Sequence, residues 1–375
     1  MNDASTAKPT SSLDQVRERF QCLHELVAAA RAKLDRNVWD YLVGGAETET
    51  SVRRNRLALD SLAFRPRVMR NVNGTDTRCT LLGRTFAMPV ALAPIGSIER
   101  FDPAACIAVA NAAGTFGCPM FQSSVAKPEL EETASELPAA MKIFQLYVRG
   151  DQAWVENILD RAVAAGFGAL CLTVDTHHYS RRERDIAKRY QAASPRAPDA
   201  ARYQKGLDWK QFDTIRARYK LPLVVKGIAT AEDAALAIEH GVDVIYVSNH
   251  GGRQLDHGLG TIDVLPEIVA TAKGKATIMI DGGFCRGTDV VKAIALGADM
   301  VCIGRLYAYG MAAAGRDGIF RVLELLQDEM VRCMGLLGVN RLEELNPSYL
   351  RAAQPVRPVH VLSAFPYVEP PDDRY

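Results

Sequence analysis

The chain lacks an excess of either charge, paired cysteine motifs and long apolar runs. Its 45 basic and 44 acidic residues leave a net charge of +1, so we expect no nucleic-acid partner. The eight cysteines are scattered without close pairs, which predicts reduced thiols and no metal site. No segment approaches the roughly 18 consecutive apolar residues of a membrane span, and the first dozen residues have no apolar core. We therefore expect a cytoplasmic protein that acts on small molecules, with no membrane insertion.

What the chain does contain is a repeat of short, β-rich apolar runs separated by longer amphipathic runs. Its 375 residues, 48% of them apolar, are enough to bury a large core. From residue 89 onward eight candidate strands alternate with helical patterns, several of which begin at an Asp, Ser or Thr cap. Eight such units over about 250 residues are typical of an α/β fold of the TIM (β/α)8 barrel type. The predicted strands are 89–95, 120–124, 142–148, 169–175, 222–227, 244–250, 277–282 and 300–305.

The segments outside the strand repeat predict an N-terminal helical cap at 1–85 and a Pro-rich, extended C-terminal arm at 341–375. The arm either packs on a neighbouring subunit or remains solvated. Within the barrel at 86–340, residues 183–206 have no strand pattern and are expected to form a mobile loop at the catalytic face. A doubly wound sheet is the alternative fold, but it predicts Gly-x-Gly-x-x-Gly after the first strand, where this chain has Ala-Pro-Ile-Gly-Ser.

Polar residues gather at the carboxyl ends of the predicted strands, where the catalytic groups of TIM barrels lie. One polar strand end is usually structural, but burying Lys, Asp and Arg without partners is costly, so their convergence indicates a site. The residues concerned are Gln145, Tyr147, Thr173, Asp175, Lys226, Ser248, His250 and Arg305.

Two kinds of turn within this pattern point to specific chemistry. The run from Val247 to Asp256, VSNHGGRQLD, places His250 and Arg253 three residues apart after a buried strand, which supplies a base and a carboxylate clamp at one mouth. Glycine-rich turns with arginine follow the seventh and eighth strands, at 281–287 and 304–305. Such turns bind phosphate at this position of a barrel, so they imply a phosphorylated cofactor.

In order and spacing, these motifs resemble those of the FMN-dependent L-2-hydroxy acid oxidase and dehydrogenase family, which includes glycolate oxidase, lactate oxidase and mandelate dehydrogenase. The similarity runs from about residue 38 to about residue 337. It implies oxidation of an L-2-hydroxy acid to the 2-keto acid by a homotetramer, with FMN reoxidised by oxygen, a quinone or a protein carrier. The alternatives are an isomerase-type FMN barrel without net redox change and a catalytically silent flavin-binding protein.

The resemblance also implies roles for individual residues around the flavin. It places Ala93, Pro94, Ile95 and Gly96 at the reactive nitrogen, and Ser123, Gln145, Thr173 and Ser248 at the ring. Lys226 is expected at the pyrimidine end, where a fixed positive charge stabilises reduced FMN. The implied ribityl and phosphate contacts are Asp281, Gly282, Gly283, Gly304 and Arg305, with Arg286 as a candidate substitute.

On the substrate side, the resemblance implies that Arg182 and Arg253 hold the carboxylate. His250 is the expected base, oriented by Asp175, and Tyr41 and Tyr147 are expected to hydrogen-bond the substrate. His250 takes either the hydroxyl proton during hydride transfer or the α-proton in a carbanion route.

Several residues depart from the family pattern. Cys285 and Arg286 stand where two consecutive arginines are usual, and the missing arginine is the one expected at the phosphate. This predicts weaker FMN retention unless Arg286 replaces it. Val125 and Gly96 stand where plant glycolate oxidases carry tryptophan and where alanine is common. Because both changes open the pocket, we expect a substrate larger than glycolate, either aromatic or longer-chain.

Overall fold

The computed structural model describes residues 11–190 and 200–368. Eight parallel strands close into a barrel, each paired with its sequence neighbours and the last with the first. The predicted TIM barrel is therefore confirmed. All eight predicted strands are present, but most end two or three residues earlier. Tyr147, Asp175, Ser248, His250 and Arg305 therefore stand just beyond their strands, whereas Gln145, Thr173 and Lys226 lie in the last residues of theirs. The barrel strands, β1 to β8, are Val90–Leu92, Met120–Ser123, Lys142–Leu146, Ala169–Thr173, Leu223–Ile228, Val244–Val247, Thr277–Ile280 and Met300–Ile303.

Helices surround the barrel and cover one of its ends. Side-chain caps begin several of them, as where Asp151 accepts a hydrogen bond from the backbone N–H of Trp154 at 3.0 Å. The last helix is broken at Ala314 and Gly315. The N-terminal helices α1 to α4 are Ser12–Arg19, Leu23–Lys33, Arg36–Val43 and Thr50–Asp60. The following helices α5 to α14 are Ala105–Phe116, Leu130–Ser135, Gln152–Ala164, Glu183–Ala187, Ala200–Lys205, Trp209–Arg218, Ala231–Glu239, Thr261–Ala272, Gly287–Ala295 and Arg305–Leu337.

Two apolar layers make up the core. One lies between the strands and the surrounding helices, and the other fills the inside of the barrel. The inner layer includes Phe121 and Tyr246, whose ring centroids are 5.7 Å apart, together with Cys171 and Cys302. The barrel is thus a packed core rather than a pore, and the space for ligands lies beyond the strand ends.

The segments predicted as loop and arm have more structure than the sequence indicates. The described part of 183–206 contains the short helices α8 and α9, whereas residues 191–199 lie outside the described residues. Leu350–Ala352 pairs antiparallel with Leu62–Phe64 of the capping segment. Farther along, Phe365 is fully buried and packs edge-on against His24 of α2. Up to residue 368, the arm therefore packs on its own chain. Within residues 11–190 and 200–368, no helix is long and apolar enough to cross a bilayer.

A buried ion pair joins the cap to the barrel. Arg56 of α4 binds both carboxylate oxygens of Asp289 in α13, at 2.7 and 2.8 Å, and both side chains are almost fully buried. The same carboxylate accepts hydrogen bonds from the backbone N–H groups of Cys285 and Arg286 at 3.0 Å each. The pair therefore fixes the turn that follows β7 as well as the cap.

Replacing Asp289 by asparagine leaves the Arg56 guanidinium buried with only part of its neutralising charge. We expect Asp289→Asn to lower the free energy of unfolding by about 3 kcal/mol, measured by urea denaturation followed by circular dichroism. Asp328→Asn is the matched control, since Asp328 pairs with Arg332 on an exposed face of α14 at 2.8 Å. Equal destabilisation by the two substitutions would contradict this role of the buried pair.

Candidate active site

A cavity of about 650 Å³ opens at the carboxyl ends of the barrel strands, beneath the N-terminal cap. Its walls come from the turns after the strands, from α3 and α4, and from the segment after β4. A cavity at this end of a barrel is where the fold places active sites. The predicted residues that line it are Tyr41, Ala93, Pro94, Ile95, Gly96, Tyr147, Arg182, Lys226, His250, Arg253, Asp281, Gly282, Gly283, Gly304 and Arg305.

Four residues predicted to contact the flavin ring do not line the cavity: Ser123, Gln145, Thr173 and Ser248 are all almost fully buried. The Gln145 amide donates to the Thr173 hydroxyl at 2.8 Å. Its carbonyl oxygen Oε1 is buried and has no hydrogen-bond partner among the described residues. An unpaired buried acceptor is costly, so this oxygen fits a site that is completed by a bound donor.

His250 lies at the centre of a hydrogen-bonded line of three side chains. Its Nδ1 is 3.0 Å from Asp175 Oδ1, and its Nε2 is 3.1 Å from the Tyr147 hydroxyl. The carboxylate fixes the tautomer with a proton on Nδ1, which leaves Nε2 as the acceptor that faces the cavity. Burial lowers the pKa of His250 below its ordinary value of 6.5, although the Asp175 charge opposes this shift. His250 is therefore neutral at pH 7 and able to accept a proton.

An unusual backbone turn brings His250 into this position. His250, Gly251 and Gly252 all have left-handed conformations, with φ of 59°, 63° and 76°. A Cβ atom on Gly252 would lie 2.5 Å from the backbone nitrogen of Val52 in α4, so only glycine fits there. For a histidine the same conformation is strained, which is typical of functional sites.

Two arginines face the cavity from opposite segments of the chain. Arg253 donates to the backbone carbonyls of Tyr41 and Gly44, at 2.6 and 2.8 Å. Burial and the neighbouring charge of Arg182 lower its pKa to about 10, so that it is still a cation at neutral pH. Arg182 is buried, its guanidinium carbon lies 4.7 Å from the ring centre of Tyr179, and its Nε has no hydrogen-bond partner among the described residues. Two buried cations that repel each other form a site for an anion.

Lys226 is the other buried cation of the site. Its ammonium group is 2.8 Å from the Ser248 hydroxyl and 3.4 Å from Asp281 Oδ2, and Ser248 in turn donates to Asp281 Oδ1 at 2.7 Å. Burial acts to lower the pKa of Lys226, but Asp281 and Asp175 outweigh it and raise the pKa above its ordinary value. The site thus retains a fixed positive charge beside the cavity.

The predicted phosphate end contains Arg305 but not Arg286. Arg305 lines the cavity, and its guanidinium donates to the backbone carbonyls of Leu42, Gly44 and Gly251 at 2.7 to 3.0 Å. Arg286 does not line the cavity, because its guanidinium is ion-paired with Glu329 of α14. This arrangement therefore does not support the interpretation that Arg286 replaces the missing arginine. Cys285, which stands at the position of that missing arginine, does line the cavity.

Sequence reasoning missed several residues of the site. Asp185, three residues after Arg182 in α8, lines the cavity, and burial raises the pKa of its carboxyl group although Arg253 and Arg182 oppose the shift. The available signal was its position in the first turn of the helix that Arg182 precedes as the N-cap residue. Asn55 of α4 also lines the cavity and exchanges two hydrogen bonds of 2.9 Å with Asn249 beside His250. Nothing in the local sequence of the cap predicts that long-range pair.

Residues 30–352 match the model of the FMN-dependent dehydrogenase family. The chain belongs to this family. Its predicted membership is confirmed, and with it the oxidation of 2-hydroxy acids by an enzyme whose cofactor is FMN.

Individual relatives support the same assignment over nearly their full length. The chain is 39% identical to glycolate oxidase of Spinacia oleracea over 352 residues, which are 88% of this chain and 95% of that protein. It is 35% identical to L-lactate oxidase of a Nostoc species, over 88% of this chain and 97% of the relative. A crystal structure of mandelate oxidase with (S)-2-phenylpropionate superposes with a TM-score of 0.83 at 37% identity, covering 90% of this chain and 100% of that one.

The different positions of Arg286 and Arg305 predict different effects on cofactor binding. We expect Arg305→Ala to weaken FMN binding about 10- to 100-fold, since a hydrogen bond to a charged group contributes about 1.5–3 kcal/mol. Arg286→Ala, whose side chain points to Glu329, is expected to leave the affinity within about twofold. Titration of the apoprotein with FMN, followed by quenching of flavin fluorescence, measures both constants. A large loss of affinity in Arg286→Ala would show that this arginine does reach the phosphate.

Proposed function

We propose that this protein oxidises an L-2-hydroxy acid to the 2-keto acid, with Arg182 and Arg253 binding the carboxylate and His250 accepting a proton. The observation that carries the proposal is the Asp175–His250–Tyr147 line, which ends in the same cavity as the arginine pair. A proton acceptor and two anion-binding arginines in one cavity suit a substrate that carries a carboxylate next to the carbon to be oxidised.

Binding of the substrate carboxylate follows from the charges of the two arginines. Each cation raises the electrostatic energy of the other inside the cavity, so an anion between them relieves the repulsion. Guanidinium groups also match the planar geometry of a carboxylate better than an ammonium group does. Tyr41 lies below Arg253, whose guanidinium carbon is 4.8 Å from the ring centre. Its hydroxyl donates only a long hydrogen bond of 3.4 Å to the Gly96 carbonyl, and in this proposal it turns to the substrate anion.

Proton removal falls to His250 because its Nε2 is the unprotonated nitrogen. When it accepts the proton that leaves the substrate, the imidazolium is stabilised by the ionised Asp175 at 3.0 Å. Tyr147, at 3.1 Å from the same nitrogen, is placed to orient the substrate hydroxyl as the proton moves. Asp175 and Tyr147 are thus assigned to catalysis together with His250 and Arg253.

FMN, when bound, supplies the two-electron acceptor for this oxidation. The residues present fit it: Gln145 Oε1 lacks a partner, Lys226 offers a buried positive charge, and the glycine turns line the cavity. In this proposal Ala93, Pro94, Ile95 and Gly96 would contact the reactive end of the flavin, and Ser123, Gln145, Thr173 and Ser248 would contact its ring. Asp281, Gly282, Gly283, Gly304 and Arg305 would hold the ribityl chain and the phosphate.

The walls of the cavity favour a substrate larger than glycolate. Gly96 and Val125 both line the cavity, and Val125 packs so closely on Gly96 that a Cβ atom there would lie 2.7 Å from the Val125 side chain. Phe101 and Tyr190 also line the cavity, with ring centres 6.2 and 6.3 Å from that of Tyr41. Small side chains at 96 and 125 together with an aromatic wall suit an aromatic or longer-chain side group. We further propose a cytoplasmic homotetramer in which oxygen, a quinone or a protein carrier reoxidises the flavin.

Anaerobic mixing of the FMN-loaded protein with L- and D-2-hydroxy acids tests the function. We expect the L-acids to bleach the visible flavin absorbance and the D-acids to leave it unchanged, with mandelate-like acids reacting more efficiently than glycolate. His250→Asn, which leaves the proposed FMN contacts in place, is expected to bleach at least about 100-fold more slowly when it is loaded with FMN. Bleaching by none of the acids would favour the isomerase-type or silent protein, and a preference for glycolate would refute the assignment of substrate size.

The pH dependence of turnover tests the state of His250. Since the base must be neutral, kcat/KM is expected to fall as the pH drops through a pKa below 6.5, and to be level above it. Asp175→Asn removes the charge that raises this pKa, so the acid limb moves to lower pH while the plateau falls by about 10²- to 10⁴-fold. Asp213→Asn is the control, because Asp213 binds the remote His240 at 2.7 Å. An acid limb that moves to higher pH in Asp175→Asn would contradict the assignment.

A further inference from the structure

Tyr246, in the middle of β6, is a fully buried residue for which the proposed function has no use. It pairs in register with Lys226 of the neighbouring strand β5, so both side chains belong to the same level of the barrel. Its ring belongs to the apolar layer inside the barrel and packs against Phe121. The Lys226 ammonium group lies 5.0 Å from the centre of the Tyr246 ring. This distance is within the range of a cation–π interaction, which is strongest where water is excluded.

The contacts of Lys226 come from two directions. Ser248 and Asp281 bind its ammonium group through oxygen atoms at 2.8 and 3.4 Å. The Tyr246 ring is the apolar contact from inside the barrel. A lysine side chain has four rotatable bonds, so two oxygen contacts on one side leave room for it to move, and the ring restricts that movement.

The hydroxyl group of Tyr246 is a second part of the side chain that could matter. Burial and the neighbouring Asp281 and Cys302 side chains raise its pKa well above the ordinary value, although no described residue meets the geometry of a full hydrogen bond to it. The ring and the hydroxyl therefore have to be separated by substitution, and the ring is the part that contacts Lys226.

We propose that the aromatic ring of Tyr246 is a positioning residue that holds the Lys226 ammonium group against the cofactor site. This inference rests on the proposed function, in which Lys226 stabilises the negative charge of reduced FMN. Without the ring, the ammonium group can relax towards the barrel centre, away from the cavity, and its field at the cofactor site weakens. Tyr246 therefore acts on the flavin through Lys226, without touching the substrate.

Sulfite provides the readout, because it adds to oxidised flavin and leaves a negative charge on the ring system that Lys226 would stabilise. We compare the FMN-loaded parent with Tyr246→Met, which removes the ring at similar volume, and Tyr246→Phe, which removes only the hydroxyl. In Tyr246→Met the sulfite dissociation constant is expected to rise about tenfold, and the two-electron midpoint potential to fall by about 30 mV, the equivalent of a tenfold change. Tyr246→Phe is expected to remain within about threefold of the parent.

Other outcomes would overturn the inference. Unchanged sulfite affinity and midpoint potential in Tyr246→Met would show that Tyr246 only fills the core. An equal loss of sulfite affinity in Tyr246→Phe would assign the effect to the hydroxyl group. If Tyr246→Met does not fold, Tyr246→Leu takes its place in the same comparison. Lys226→Met distinguishes a failure of the proposed role of Lys226 from a failure of the proposed role of Tyr246. If it leaves sulfite affinity intact, the proposed role of Lys226 fails and the inference fails with it; if it weakens sulfite binding while Tyr246→Met does not, only the inference fails.

Discussion

Lys226 and Asp281 lie 3.4 Å apart at the top of a barrel whose interior is filled by apolar side chains. Burial acts to lower the pKa of Lys226, and the charge of Asp281 is the largest effect that raises it instead. Ser248 bridges them through hydrogen bonds on both sides. The Ser248 hydroxyl also accepts a hydrogen bond from the backbone N–H of His250 at 3.0 Å, so the same small network sets the position of the proposed base. Loss of either charge would therefore disturb the cofactor side and the substrate side together.

The N-terminal cap completes this site from above. Helix α3 ends at Val43, and its last carbonyl groups have no partners within the helix. Arg253 and Arg305 supply those partners by donating to the carbonyls of Tyr41, Leu42 and Gly44. The negative end of the helix dipole thus meets two cations without neutralising either completely. Their remaining positive charge is what an anionic substrate and a cofactor phosphate require.

The sequence predicted those parts of the site that follow from local pattern. Apolar runs predict where the strands end. The geometry of a TIM barrel then predicts that Lys226, His250 and Asp281 lie at the same end of the barrel, even when no contact between them is known. Arg286 could not be placed correctly from the sequence. Its partner Glu329 lies 43 residues away on α14, and no local pattern predicts that an arginine beside a phosphate-binding turn forms an ion pair with so distant a residue. The left-handed backbone of His250 was equally hidden, because histidine rarely adopts it without support from packing.

Arg182 differs from Arg253 in that none of the described backbone carbonyls accepts a hydrogen bond from it, so its position depends on the segment that carries it. Helix α8 begins one residue later and is bound to the cap by ion pairs, in which Arg184 contacts Glu49 at 2.6 Å and Lys188 contacts Asp40. These pairs are partly buried, and they hold the segment over the cavity from the side opposite Arg253. A carboxylate between the two arginines would add a third attachment of α8 to the rest of the molecule. In the proposed function, the substrate's charge would therefore replace the repulsion between the arginines with attraction to both, and would help to hold this wall in place.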